Sequence, residues 1–467
     1  MENPQQLKAS LQQIEAPRIL VIGDIMLDRY SWGKVERISP EAPIPVLRVE
    51  HEDSRLGGAA NTMANLATLG AQVLACGIIG NDASGKIISN LFSEHRIDDQ
   101  GILRRDDYTT ILKHRMISGH THLLRMDFDP DTKRSYPIEQ SLCDYLDKLA
   151  PSLDLIVVSD YGKGLLTPTV LSHIAQLGRR FEIPVIGDPR PGSDFRIYQN
   201  FTLLKPNRKE TEQAVGFILE DKDSILKAAQ ILKTRVGLDY LLLSLDKDGL
   251  LLYQSEEEYS FLETEAQEVF DVVGAGDMIV SVMAFMLAGG SSIEHAAYWA
   301  NLAASMEIMH VGVVSFTKAE LIHRFEFGHA SAKVISLEQL LKQLKRRSNP
   351  IVFTNGYFDD ISSGHLKFLQ QLRLFKGFNI VAINSDRSIE QRKGKRPSLS
   401  EQERASLLSV IDAVDRVLIF DTPDTCDLIR QIRPTMVVKG GRYQNQSIVE
   451  QPAIEEVGAV LKYLPDY

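Results

Sequence analysis

A chain of 467 residues is long enough for two or three domains with cores of their own, and 44% hydrophobic and 24% charged residues are ordinary globular proportions. A formal net charge of -10 argues against broad binding to nucleic acid or to an anionic membrane, and Cys76, Cys143 and Cys426 show neither metal-ligand spacing nor a disulfide framework. The start, MENPQQLKAS, lacks a signal-peptide pattern and no apolar run reaches membrane-spanning length, so a reduced cytoplasmic protein is expected, with no nucleic-acid or membrane partner.

The first strong element is RILVIGDIML, a continuous apolar run ending in Gly23-Asp24, the pattern of a buried parallel strand with functional residues at its C-terminal end. Asp24 and Asp28 place two carboxylates there, suited to holding a polyol, although either could cap a helix. Residues 45–52 and 110–125 alternate apolar and polar side chains and fit exposed strands outside the main sheet, either a lid or a pair of immobile edge strands. Between them lies GGAAN (57–61), where Gly57 and Gly58 let the backbone approach a ligand and Asn61 offers a donor and an acceptor to sugar hydroxyls. Two glycines that merely punctuate a helix start would read the same way.

Further apolar runs, DLIVVSDYG, IPVIGDPR, FTLLKPN and YLLLSLDKDG, are separated by stretches of helical period and predict a doubly wound α/β sheet. In KPNRKE (205–210), Asn207 and Glu210 fall three apart on a first helical turn, facing one site with water, magnesium and phosphate oxygens or closing a capping box. VFDVVGAGDM (269–278) is a strand-like run, then Gly274 and Gly276, then Asp277 at the mouth of an apolar helix over 278–287. Its glycines let the amides of Ala275, Gly276 and Asp277 converge on one anion at the positive end of the helix, and Asp277 could accept the proton of an attacking hydroxyl. That is the equipment of phosphoryl transfer to an alcohol, although an ordinary strand-to-helix turn with a capping aspartate has the same letters. Small residues in GHASAK (328–333) then loosen the pattern, dividing the chain into domains 1–330 and 331–467, the second with a helix over 337–347 and strands over 350–354 and 378–384.

The ordered set GD, GGAAN, SDYGKG, DPR, KPNRKE and DVVGAGD resembles the ribokinase or phosphofructokinase-B family of sugar kinases over residues 19–325. Within it, GDIMLDRYSWGKVERISPEAPIPV, RLGGAAN, VVSDYGKG and QEVFDVVGAGD look closest to the kinase half of the bacterial bifunctional heptose enzymes. The resemblance implies a ribokinase-like doubly wound sheet with a small β lid, working with ATP and Mg2+. It implies phosphorylation of D-glycero-D-manno-heptose 7-phosphate at its anomeric hydroxyl, on the route to ADP-heptose for lipopolysaccharide core. It also implies Asp277 as base, an anion hole at Gly274, Ala275 and Gly276, Asn207, Arg208, Lys209 and Glu210 at the ATP and metal, and Asp24, Asp28, Gly57, Gly58 and Asn61 at the sugar. No protein side chain is assigned as a direct metal ligand. The sugar phosphate needs a cation, for which Arg29, Arg37, Lys163 and Arg190 are candidates, and a homodimer is expected. Val273 and Met278 stand where threonines are usual, and Asp246 where a small residue is usual, which leaves the base and amides in place with altered ATP affinity.

FTNGYFDDISSGHLKFL (353–369) resembles the opening of the cytidylyltransferase-like family, T-N-G-C-F-D-(I/L)-(L/I)-H-x-G-H. Gly364 and His365 match, while Ser362 replaces the first histidine and Tyr357 the usual cysteine. VAINSD (381–386), KGKRP (393–397) and VVKGGRY (437–443) follow in the family's order. A Rossmann-like nucleotidyltransferase-type α/β domain is implied, with Asn355, Gly364, His365, Ser385, Asp386 and Lys439 as its nucleotide-binding residues. Arg442 replaces the acidic residue after KGG, the segment around Gly377 is altered, and YLPDY ends the sequence before the family's Ser/Thr-rich helix-start motif. Ser362 offers one neutral hydrogen bond where a histidine brings charge, a difference of about 1–3 kcal/mol at a phosphate. An impaired or absent adenylyltransferase is therefore expected. The alternatives are a fully bifunctional enzyme and a non-catalytic binding or dimerisation module.

Overall fold

The computed structural model describes residues 4–119, 121–131, 138–264, 273–310, 312–327, 333–344, 349–422, 424–444 and 446–465. The strand expected over 269–272 and the GHASAK stretch up to residue 332 lie outside the described residues. Two compact units make up the chain, Met1–Leu321 and Ile322–Tyr467.

In the first unit the strands are β1 (Arg18–Gly23), β2 (Ile25–Ile38), β3 (Pro45–Gly58), β4 (Gln72–Gly80), β5 (Asp98–Arg105), β6 (Ile111–Ser118), β7 (Thr121–Phe128), β8 (Leu155–Ser159), β9 (Val185–Asp188), β10 (Leu203–Leu204), β11 (Tyr240–Ser244), β12 (Leu250–Tyr253) and β13 (Tyr259–Leu262). Among the described residues, nine of them form one sheet in the order β13-β12-β11-β10-β9-β8-β1-β4-β5. From β5 to β11 the neighbours run parallel, and β12 and β13 close one edge antiparallel. Parallel strands covered on both faces need apolar side chains at every position, and β1 and β8 supply them: Ile19, Leu20, Val21, Ile22 and Leu155, Ile156, Val157, Val158 are all fully buried. The chain leaves β1 toward β4 on one side, while β8 lies on the other. The order therefore reverses between β1 and β8, and it is beyond the C-terminal strand ends at such a reversal that open α/β sheets bind ligands in a crevice.

The remaining four strands make a separate sheet, β3-β2-β6-β7, which contains both segments expected to lie outside the main sheet. Its central strand β2 was not expected. Six of the first seven residues of β2 are buried, on both faces, where the strand leaves the core, so the alternation that marks a half-exposed strand is missing there.

The second unit has five parallel strands, β14 (Ile351–Gly356), β15 (Phe378–Asn384), β16 (Arg416–Phe420), β17 (Met436–Gly440) and β18 (Val460–Leu464), in the order β16-β15-β14-β17-β18. Here the reversal falls between β14 and β17, which brings Asn355 and Lys439 side by side at the strand ends.

Candidate active site

Asp277 is the third residue of an apolar helix, Ala275–Ala288, which begins three residues earlier than its apolar pattern suggests. The cause is Gly274, which caps the helix with φ 96°, a left-handed conformation that glycine adopts without strain. A Cβ at Gly274 would also collide with the buried carboxylate of Glu307. The amides of Ala275, Gly276 and Asp277 are therefore the first N–H groups of the helix, which have no partner inside it. Asn61 Nδ2 donates to Asp277 Oδ2 at 2.8 Å, and the Tyr161 hydroxyl donates to Oδ1 at 2.7 Å. Burial pushes the Asp277 carboxyl up to about 6; the nearby Asp188 charge adds to this, and the Asn61 and Tyr161 bonds and Lys205 partly offset it.

Asn61 reaches Asp277 from the first turn of helix Ala59–Leu69, which starts at Gly58. Gly58 sits at φ 56°, and a Cβ there would lie 2.7 Å from the Asp24 carbonyl. The Asp24 side chain is 1% exposed, and its Oδ2 accepts the amides of Tyr161 at 2.9 Å and Lys163 at 3.1 Å. Among the described residues its Oδ1 is buried without a hydrogen-bond partner. Burial raises this carboxyl too, to about 6, against the two amides that favour its charge.

Asp28 departs from the expected arrangement. It lies within β2 rather than at the end of β1 and pairs with Arg115 of β6, while Gly57 across the strand pair leaves room for its carboxylate. The guanidinium groups of Arg55 and Arg115 lie 5.4 and 5.2 Å from the Tyr30 ring centroid, which ties β2, β3 and β6 together. Asp28 thus serves the separate four-stranded sheet, whereas Asp24 directly follows β1 and is buried there.

Lys205 follows β10, is 4% exposed, and bonds Asp188 Oδ1 through Nζ at 3.0 Å. A Cβ added at Gly276 would sit 3.2 Å from that Nζ, so the ammonium lies at the helix start beside Asp277. Burial alone would lower the Lys205 pKa, but Asp188, Glu210 and Asp277 more than offset it and raise it. Asn207 and Glu210 close a capping box at the start of helix Arg208–Val215: Asn207 Oδ1 accepts the Glu210 amide at 2.9 Å, and Glu210 Oε2 the Asn207 amide at 2.8 Å. Arg208 turns away to the Leu219 carbonyl at 2.7 Å and Asp248 at 2.6 Å, and Lys209 is exposed. Of the four candidate cations for a sugar phosphate, Lys163 and Arg190 stand on the loops after β8 and β9, 2.7 Å from Asp129 and 3.8 Å from Asp160. Arg29 and Arg37 belong to the lid strand β2.

In the second unit Ser362 and His365 form a capping box at helix Ser363–Gln371, with Gly364 in its first turn. His365 Nδ1 accepts the Ser362 amide at 3.2 Å, and burial followed by the Arg442 charge lowers the histidine pKa, so the ring is held neutral. Lys439 Nζ bonds Glu450 Oε1 at 2.9 Å and Asn355 Oδ1 at 2.7 Å, a buried cluster at the ends of β14 and β17. Ser385 caps helix Asp386–Lys393 and bonds Asp421, while Asp386 accepts from the fully buried Arg404 at 2.6 Å. Arg404 also donates to the Tyr357 carbonyl at 2.7 Å, and Lys393 lies 4.3 Å from the Tyr357 ring centroid, so both clasp the loop of the first motif.

Three residues at the first centre went unassigned at the sequence level: Lys205, Asp188 and Tyr161. Each sits at or just after the end of a strand, which was a usable signal, but nothing in the letters says which side chain turns inward. Among the described residues no three His, Cys, Asp or Glu side chains form a metal cage, and no helix is long and apolar enough to cross a membrane.

The pfkB family carbohydrate kinase model matches residues 16–320, and the cytidylyltransferase-like model matches residues 353–460. "Bifunctional protein HldE" of Geobacter sulfurreducens is 39% identical over 445 residues, covering 94% of this chain and 91% of that protein. The protein of the same name in Geotalea uraniireducens is 40% identical over 449 residues, covering 94% and 91%, and that of Wolinella succinogenes 37% over 448 residues, covering 94% of each. Among solved structures, Arabidopsis thaliana ribokinase complexed with ribose and ATP superposes with a TM-score of 0.56 at 18% identity, over 67% of this chain and 100% of that one. Escherichia coli phosphofructokinase-2 in complex with substrates and products gives 0.55 at 19% identity, over 67% and 99%. At such identities the likeness is one of fold.

Proposed function

The chain belongs to the pfkB family of carbohydrate kinases and, over nearly its whole length, to the bifunctional HldE proteins, and from that premise we propose that its first unit transfers the γ-phosphoryl group of ATP to the anomeric hydroxyl of D-glycero-D-manno-heptose 7-phosphate. The observation that carries this reading is the Asp277 carboxylate, held by Asn61 and Tyr161 at the N-terminus of an apolar helix beyond the switch point of the sheet.

Phosphoryl transfer asks a protein for positioning, a base and neutralisation of charge. Asp277 takes the proton of the anomeric hydroxyl as its oxygen bonds to the γ-phosphorus, and ADP leaves with the electrons of the broken P–O bond. The first amides of helix Ala275–Ala288 and the Lys205 ammonium face the charge that builds on the transferring group. Asp24 Oδ1, a buried acceptor, suits a sugar hydroxyl. Lys163, in the loop that holds Asp24, and Arg190, against Asp160 of the same loop, are the cations this reading assigns to the sugar's own phosphate. Magnesium fits as a cation carried by ATP, which it would supply with charge neutralisation, with Asp188 and Glu210 beside Lys205 holding its waters.

For the second unit the reading is a weak or silent adenylyltransferase. It is supported by a neutral, internally bonded His365 and by Lys439 being already paired with Glu450, which leave less free positive charge for nucleotide phosphates.

Phosphorus NMR of reactions with ATP, magnesium and a panel of sugars tests the first reading. A heptose 1,7-bisphosphate signal is expected, and faster turnover of ribose or fructose 6-phosphate would refute the substrate assignment. Heptose 1-phosphate with ATP tests the second; rapid release of pyrophosphate would establish a fully bifunctional enzyme instead.

A further inference from the structure

We propose that Tyr161 is a positioning residue of the kinase, whose phenol fixes the Asp277 carboxylate while its main chain ties that carboxylate to the sugar seat at Asp24. The proposal rests on the reading of Asp277 as the base.

Three contacts converge on this residue. Its hydroxyl donates to Asp277 Oδ1 at 2.7 Å, opposite the Asn61 amide on Oδ2, so two donors on the two oxygens fix the plane of the carboxylate. Its backbone amide donates to Asp24 Oδ2 at 2.9 Å, on the carboxylate whose other oxygen is buried without a hydrogen-bond partner among the described residues. Its ring lies 5.7 Å from Lys113 Nζ of the lid strand β6. The loop that carries it is held on the far side, where Asp160 accepts the Gly162 amide at 2.8 Å and the Tyr198 hydroxyl at 2.7 Å. A sugar bound at Asp24 therefore meets a base whose orientation depends on the same short loop.

The charged groups around the pair define what its loss would do. Asp277 faces Asp188 at the end of β9 and Lys205 after β10, and Tyr161 faces Asp28 and Lys113 from the lid. Burial, then the Asp277 and Asp188 charges, holds the Tyr161 phenol well above its usual range, so it stays a donor at working pH. A donor to the charged form of a carboxylate favours ionisation, so removing it lets burial and Asp188 push Asp277 further toward its protonated, unreactive form.

Tyr161→Phe keeps the ring and removes only the hydroxyl. The acid limb of its kcat/KM profile, which reports the free enzyme, should move up by about one pH unit, and kcat should fall about tenfold or more. The sugar KM should change less than about threefold, and the melting temperature at neutral pH should fall by no more than about 2–4 °C, because packing is retained and only the Asp277 carboxylate loses a partner. An acid limb within about 0.2 unit of the parent, or a loss confined to KM, would overturn the proposal. Asp277→Asn separates the two levels. Near-normal turnover in that variant would sink the reading of Asp277 as base, whereas an inactive Asp277→Asn together with an unmoved limb in Tyr161→Phe would sink only the role of Tyr161.

Discussion

Asn61 and Asp277, 216 residues apart in sequence, meet through a 2.8 Å hydrogen bond from Nδ2 to Oδ2. The bond joins the first turns of two helices and gives the proposed base a neutral neighbour. Asn61→Asp would keep the shape and replace the donor with a second carboxylate. Two like charges at this distance cannot both ionise cheaply, so the acid limb of activity should rise by more than about one pH unit, with about a hundredfold loss at pH 7. A pH-rate profile checks this, and a profile superimposable on the parent's would contradict it.

The two glycines of the GAGD turn should fail differently. Gly274→Ala puts a side chain at φ 96° and against Glu307, so a loss of about 1–3 kcal/mol of stability is expected from chemical unfolding. Gly276→Ala is helical and roomy except for Lys205 Nζ at 3.2 Å. It should unfold almost like the parent while turnover falls and the KM for ATP rises, since the ammonium must shift. Equal stability losses in the two variants would contradict the placement of Lys205.

Asp24 should show function held at the expense of stability. Its carboxyl is raised from 3.8 to about 6 in the fold, so the native state binds the proton more tightly than the unfolded chain. The sign follows: its contribution to stability is full below about pH 4, is lost as pH rises through about 6, and stays lost above that. Asp24→Asn carries no charge and can still accept both loop amides. It should be more stable than the parent by about 1–3 kcal/mol at pH 8, with a smaller difference at pH 5, and its sugar KM should rise about tenfold or more. Denaturant titrations at the two pH values decide, and a variant less stable at pH 8 would be evidence against the assignment.

In the second unit, Lys439→Met would leave the Glu450 carboxylate buried without its cation, at a cost of about 3–5 kcal/mol. The double change with Glu450→Gln should recover most of that loss. Unfolding followed in the single and double variants measures the coupling, and additive losses would mean that the pair is not the unit drawn from its 2.9 Å contact.

The middle of the first sheet, β1 and β8 to β11, and β14 and β15 of the second were legible because buried parallel strands appear as unbroken apolar runs, while β4, β5, β12, β13, β16, β17 and β18 were not named as strands. The lid was half legible: β3, β6 and β7 fall in stretches that alternate, but β2 begins inside the core and loses its period. At the centre, Asp277 and Asn61 could be named from glycine-flanked motifs, because glycines mark where the backbone must come close. Asn207 and Glu210 could not be resolved, since a capping box and a ligand site share the same three-residue spacing, and the structure realises the capping box. Tyr161, Lys205 and Asp188 were hidden for another reason: strand ends locate a crevice without saying which side chains enter it. Asp28 looked equivalent to Asp24, but Arg115, distant in sequence, draws it into the lid.

The central claim is that Asp277 is the base of a sugar kinase, and its most direct test is single-turnover phosphorylation of the heptose 7-phosphate by Asp277→Asn, alongside calorimetric binding of sugar and ATP. Asparagine preserves the helix start, and Asn61 can turn its own carbonyl to meet the new amide. Binding should stay within about threefold of the parent and turnover should fall by about two to four powers of ten, while the parent loses activity as pH falls through about 6. Near-parental turnover with intact binding would contradict the account.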